Sequence, residues 1–315
     1  MIGFLAGLMA FLTSLVPVCA AGHDSDADSK PSESAGLIDI GNGRKMYLEC
    51  QGSGSPTVVL VSGRSDRSTT WHTASQGLAV YPAVAKFTQV CAYDRPGTVT
   101  IAANVITASA STAVPQPTTP ESSVADLHAL LSAAKISGPF VLVGHSYGGL
   151  IARLYASTYP RDIAGLVLVD TLTEFLYAAL TPTQQALWIP LNSNYSPELD
   201  HYTIQERTDL LASFQQLHTH PITRKMPVIV LTSDRPYDFK SLITKGILPS
   251  DTPLDFAPIV FQAHLTGQGR LTQLLHARQI TDTHAGHYIH TEQPQLVIDA
   301  IRQVVDNVRT GKSSL

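Results

Sequence analysis

Residues 139–149 read PFVLVGHSYGG: a short apolar, β-branched run that breaks abruptly into Gly-His-Ser-Tyr-Gly-Gly. The run has the length and composition of a strand buried on both faces. The segment that continues from it, YGGLIARLYASTYP, reads as a helix, so the chain turns from strand to helix at Ser146. A serine on such a turn has strained backbone angles, and only small residues at Gly144 and Gly148 let strand and helix pass one another. The strain lifts the Ser146 Oγ above the sheet edge. The helix N-terminus then directs amides at any negative charge developing beside it. A G-x-S-x-G is common by chance; strand-turn-helix context makes this one specific.

Working outward, the same buried-strand signature recurs in TVVLVSG (57–63), QVCAYD (89–94), AGLVLVD (164–170) and MPVIVLTSD (226–234). LIDIGNGRKMYLEC reads as a hairpin, with Asn42-Gly43 supplying the turn. Helical stretches lie between the strands. ESSVADLHALLSAAK follows Thr119-Pro120 as cap and first turn, and PQLVIDAIRQVVDNVR places Leu296, Val297, Ile301, Val304 and Val305 on one stripe. Strands alternating with helices predict an α/β fold, a mostly parallel sheet covered on both faces. Two segments break the rhythm. Residues 99–120, rich in Ala, Ser, Thr and Pro, read as a surface loop, and the helical stretch 172–225 reads as an inserted cap.

Composition narrows the class. The 315 residues are 44% hydrophobic and 15% charged, with a formal net charge of −4 and a mean hydropathy of +0.08. Such a chain is neither disordered nor a coiled coil, and it has no basic face for a nucleic-acid backbone. Three cysteines cannot build a zinc-finger framework. Residues 1–21 read as a secretory signal peptide with Val18 and Ala20 at the small-residue positions of a cleavage site. Residues 22–36 form an Asp- and Ser-rich linker, which leaves 37–315 as the folded domain. The expectation is a secreted or periplasmic protein, with no membrane insertion once the signal is removed and a membrane-anchored form as the alternative if it stays uncleaved.

A nucleophilic serine needs a base. The best histidine is His287, in AGHYIHTEQP (285–294), between the last strand RQITDT and the last helix, where it can swing over the sheet towards Ser146. His284 and His290 are rivals, but no acidic residue joins the three in a zinc-ligand spacing such as H-E-x-x-H, so neither metal nor other cofactor is expected.

Four motifs in order resemble the serine-nucleophile, esterase- and lipase-like members of the α/β-hydrolase superfamily, from Leu37 to near Arg309. They are Val61-Ser62-Gly63-Arg64, where that family has a His-Gly pair; Tyr93-Asp94-Arg95-Pro96-Gly97; GHSYGG; and AGHYIHTEQP. The resemblance implies an eight-stranded sheet with an antiparallel second strand and a helical cap after strand six. It also implies an oxyanion hole from the backbone amides of Tyr147 and, by position, Arg64. The family's commonest acid follows strand seven, but that place here is Pro236; Asp234 comes early and Asp238 late. Asp170, closing strand six, matches members that draw the acid from there and is favoured, with Asp234 as the alternative. The family's strand order also makes the strands of Cys50 and Cys91 antiparallel neighbours, so these two are expected to form a disulfide. The implied activity is hydrolysis of small-molecule carboxylic esters. An aminopeptidase-like amidase, with Glu174 or Glu198 of the cap as amine-binding acids, a C–C hydrolase and a non-catalytic ligand binder remain open. The cap's Phe175, Leu176, Tyr177, Leu180, Leu187, Trp188 and Leu191 serve either packing or an acyl pocket.

Overall fold

A two-residue alternation along short β-branched runs organises the molecule. The computed structural model describes residues 34–102, 105–192, 205–245 and 248–314; the signal peptide and most of the linker expected at 1–36 lie outside these. The strands are β1 (Ser34–Gly41), β2 (Arg44–Gln51), β3 (Thr57–Val61), β4 (Val90–Tyr93), β5 (Val99–Ala102), β6 (Val105–Ala108), β7 (Phe140–His145), β8 (Ile163–Val169), β9 (Val228–Leu231) and β10 (Arg278–Ile280). The helices are α1 (Val80–Val84), α2 (Pro120–Ala133), α3 (Tyr147–Thr158), α4 (Glu174–Ala179), α5 (Pro182–Leu191), α6 (Leu210–Thr219), α7 (Phe239–Thr244), α8 (Phe256–Leu275), α9 (Ile289–Glu292) and α10 (Pro294–Arg309).

Eight strands form one sheet in the order β1-β2-β4-β3-β7-β8-β9-β10. β2 runs antiparallel to both its neighbours, and the pairings from β4 through β10 are parallel. Odd and even positions of the central strands feed two separate cores. Val59, Val61, Leu142, Leu166, Leu168, Val228 and Val230 face α2, α3 and the helices between β8 and β9. Val58, Leu60, Val141, Val143, Val167, Val169, Ile229 and Leu231 face α1 and α10. Burial on both faces explains why these runs lack polar residues.

The anticipated caps and stripes are present. Thr119 and Ser122 form a capping box with Pro120 at the first helical position of α2. Val297, Ile301, Val304 and Val305 are fully buried along α10, with Leu296 half-buried beside them. Cys50 and Cys91 are register partners across β2 and β4 and form a disulfide with a Cα–Cα distance of 4.1 Å.

Two regions differ from or extend the sequence reading. Residues 99–120 are not simply a loop, because β5 and β6 pair as an antiparallel hairpin. Its root is fastened to the body: the Val99 amide donates to the Ser65 carbonyl at 2.8 Å and the Ser109 amide to the Thr98 carbonyl at 2.8 Å. The stretch between β8 and β9 carries α4, α5 and α6. A second helical insertion, α7 and the 20-residue α8, fills the chain between β9 and β10. Among the described residues no helix is long and apolar enough to cross a membrane.

Candidate active site

Ser146 sits between β7 and α3 with φ 50° and ψ −121°, a left-handed conformation that an L-residue holds only under strain. Its neighbours must be small. A Cβ on Gly144 would lie 2.6 Å from the Gly148 carbonyl oxygen, and one on Gly148 would lie 2.2 Å from the Val61 carbonyl oxygen. Tyr147 is the first residue of α3, so its N–H has no partner within the helix and belongs to the positive end of the helix dipole. Ser146 itself is half-buried.

The structure brings His287 and Asp170 together. The His287 Nδ1 donates to Asp170 Oδ2 at 2.7 Å, which leaves Nε2 as the nitrogen free to exchange a proton. Asp170 ends β8 in a turn with φ 42° and is buried. Its other oxygen accepts from the Ser233 amide at 2.7 Å and from His264 Nε2 at 2.8 Å. Burial by itself would raise the Asp170 carboxyl, but the charges and hydrogen bonds of His264 and His287 overcome it and hold the group well below the usual carboxylate range. His287 is tied to the elbow through His145, whose Nε2 donates to the His287 carbonyl at 2.9 Å and whose ring lies 4.7 Å from the His287 ring.

The other sequence candidates go elsewhere. Asp234 does not meet His287; its oxygens accept from the amides of His284 and Ala285 at 2.9 and 3.0 Å. His284 is exposed beside Asp234 and Asp282. His290 is buried, with its Nε2 3.1 Å from Thr70 Oγ1 and its ring against Trp71. The three histidines therefore do not converge on one point. Asp234, Asp282 and His284 do approach one another at the surface, but both Asp234 oxygens are already engaged by backbone amides.

The Ser62–Ser65 turn, which carries the Arg64 amide, is clamped from behind. Arg95 donates to the carbonyls of Ser62 and Gly63 at 2.9 and 2.6 Å, and pairs through Nε with Glu206 at 2.6 Å. Glu206 also accepts from the Ser65 amide. Burial would lower the Arg95 guanidinium, yet the Glu206 carboxylate overrides it and holds it above its ordinary value. The Arg64 backbone N–H makes no hydrogen bond among the described residues, while its side chain donates to the Asn192 carbonyl. Ser62, standing where the resembled family has His, uses its hydroxyl inside the turn, donating to the Arg67 carbonyl and accepting from Trp71 Nε1.

Residues 58–300 match the sequence model of the Alpha/beta hydrolase family, well over half of the chain. The chain belongs to that family. Among curated relatives, an "AB hydrolase superfamily protein" of Gibberella zeae is 24% identical over 86% of this chain and 94% of its own length. A Hormonema carpetanum protein named "Probable transporter efuK" is 26% identical over 88% of this chain, which spans only 44% of that longer protein. Among solved structures, mouse alpha/beta hydrolase domain-containing protein 10 superposes with a TM-score of 0.56 at 16% identity, covering 87% of this chain and 99% of that one.

Within this alpha/beta hydrolase, three contributors escaped the sequence reading. Arg95 was visible only as part of a motif, and its partner Glu206 lies more than a hundred residues away in a stretch read as cap. His264 belongs to no motif. The available signal was its helix: His264, Gly267, Gln268 and Leu271 follow helical spacing on the buried face of α8, an unusually polar stripe to bury.

Proposed function

We propose that this alpha/beta hydrolase is an exported serine hydrolase that cleaves small-molecule carboxylic esters through an acyl-enzyme on Ser146. The observation that carries the reading is the hydrogen bond from His287 Nδ1 to the buried Asp170 carboxylate, formed beside a serine held in the strained strand-to-helix turn. His287 Nε2 takes the Ser146 hydroxyl proton as Oγ attacks the ester carbonyl carbon. The oxyanion of the tetrahedral intermediate is held by the amides of Tyr147 and Arg64, the latter aimed by the Arg95–Glu206 clamp. The C–O bond then breaks, and the leaving alcohol receives the proton from His287. Water repeats the sequence on the acyl group and releases the carboxylic acid. Asp170 keeps His287 in the right tautomer and stabilises the imidazolium that forms in each half.

Esters are favoured over amides of free amines because Glu174 is engaged by Arg153 in a bidentate pair at 2.8 and 2.7 Å. The other amine-binding candidate, Glu198, lies outside the described residues. The Cys50–Cys91 disulfide suits an oxidising compartment and supports export. Release of p-nitrophenol from acetate and butyrate esters, together with fluorophosphonate labelling, tests the reading. Ser146→Ala and His287→Ala should each lower kcat by several orders of magnitude with the fold intact. Turnover and labelling that persist in Ser146→Ala would remove the assignment.

A further inference from the structure

Asp170 receives more donors than the orientation of a single histidine requires. Beyond His287 on Oδ2, its Oδ1 accepts from the Ser233 amide at 2.7 Å and from His264 Nε2 at 2.8 Å. His264 is 2% exposed and sits inside α8, in the insertion between β9 and β10. An ionised carboxylate can only accept, so His264 presents its Nε2–H to it.

The same face of α8 grips the chain that follows Asp170. One turn on, Gly267 brings the helix against the start of α4: a Cβ there would lie 2.6 Å from Thr173 Oγ1 and 2.7 Å from the Leu176 amide nitrogen. The next residue, Gln268, donates through Nε2 to the Thr171 carbonyl at 2.5 Å. Three residues at helical spacing therefore hold the turn 170–176 through contacts that His287 does not use.

We propose that His264 is a positioning residue for the hydrolytic site. Its N–H fixes the rotation of the Asp170 carboxylate and thereby the orientation and basicity of His287, while α8 joins that acid to the first helix of the insertion after β8. This rests on the assignment of Ser146, His287 and Asp170 made above. Without His264, Oδ1 keeps only the Ser233 amide in a site closed to water, and the carboxylate regains a torsional freedom that the second donor removes. Its charge, shared among fewer donors, then acts more strongly on His287 and favours the imidazolium. The other groups facing His287 are His145, Tyr237 and Tyr288, with ring centroids at 4.7, 5.6 and 5.4 Å, together with the neutral imidazole of His290 and the carboxyl of Asp66. Of these, Tyr237 also packs against His264, with ring centroids 6.2 Å apart, a contact that the ring of His264→Phe can keep.

The test compares His264→Phe, which keeps a ring and loses the donor, with His264→Gln, which keeps an N–H. Each is read by kcat and KM on a p-nitrophenyl ester, by the acid limb of kcat/KM, and by the low-field proton NMR signal of His287 Nδ1–H, assigned by its absence in His287→Ala. In a His264→Phe protein with a cooperative melt, kcat should fall about 10- to 100-fold with KM within about twofold. Its acid limb should move to higher pH and its low-field signal should shift or broaden, and His264→Gln should recover most of each. If His264→Phe does not fold, His264→Asn, whose amide is too short to reach Oδ1, takes its place with the same outcomes. A folded variant lacking the donor but retaining the parental kcat, acid limb and low-field signal overturns the proposal. Failure of the underlying assignment is distinguishable, because it shows as turnover in Ser146→Ala and leaves the NMR comparison to judge His264.

Discussion

Asp170 and Asp234 close neighbouring strands, and one hydrogen bond separates their duties. Asp170 meets His287; Asp234 braces the backbone at His284 and Ala285. Asp170→Asn should therefore lower kcat by about 10⁴ through the wrong imidazole tautomer, whereas Asp234→Asn should keep turnover within about one order of magnitude. Steady-state rates on the two purified variants check this, and the reverse ranking would contradict it. A second expectation at this scale concerns acid. Burial, and then the charge of His287, push His290 down from 6.5 to about 3, and burial likewise lowers His145. Both are neutral when folded and bind protons more readily when unfolded. The contribution of each is complete above about 6.5 and is lost as pH falls below that, by up to about 1.4 kcal/mol per pH unit for each histidine, with the loss from His290 running down towards 3. Asp170, lowered in the fold, loses its contribution only further down, below the ordinary carboxylate value. Urea unfolding at pH 7 and pH 5 should show this loss, and His290→Gln should reduce it.

At the level of elements, the central strands leading into Ser146 and Asp170 were among the easiest to read. β7, β8 and β9 are short, apolar and bounded by punctuating residues, because a strand buried on both faces has no room for anything else. Ser146 and Asp170 directly follow two of these strands, whereas His287 lies in the loop between β10 and α9. The β5–β6 hairpin was missed because VTIA and VITA are short, half-polar and set in Ala/Ser/Thr-rich sequence, which turn composition masks. The Arg95–Glu206 pair and His264 were invisible for a different reason: their meaning lies in long-range contacts, which no local spacing encodes. The pair is 2% exposed on each side and joins the stretch after β8 to the Ser62–Ser65 turn. Breaking it from one side strands a buried charge, so Glu206→Ala should destabilise by about 3–5 kcal/mol in denaturant unfolding. A cost near zero would mean that water reaches Arg95.

Across the whole molecule, the two cores on either side of the sheet are dominated by apolar packing, and the disulfide adds a constraint on the unfolded chain. The bridge closes a segment of 41 residues. Loop-closure entropy for that length is about 4 kcal/mol, and replacing both cysteines by alanine should cost about 2–4 kcal/mol of stability while leaving kcat near its parental value, since the bridge lies on β2 and β4. The same bridge short-circuits the chain mechanically. β3, the turn bearing Arg64 and α1 all lie between Cys50 and Cys91. A single molecule pulled from its two ends cannot pay out that stretch while the bridge is intact. At about 3.3–3.6 Å per extended residue, the 41-residue separation hides about 140 Å of contour length. Force spectroscopy should recover that length as one added increment when a reductant is introduced, and the strand and turn beside Ser146 would be the last parts of the chain to feel tension.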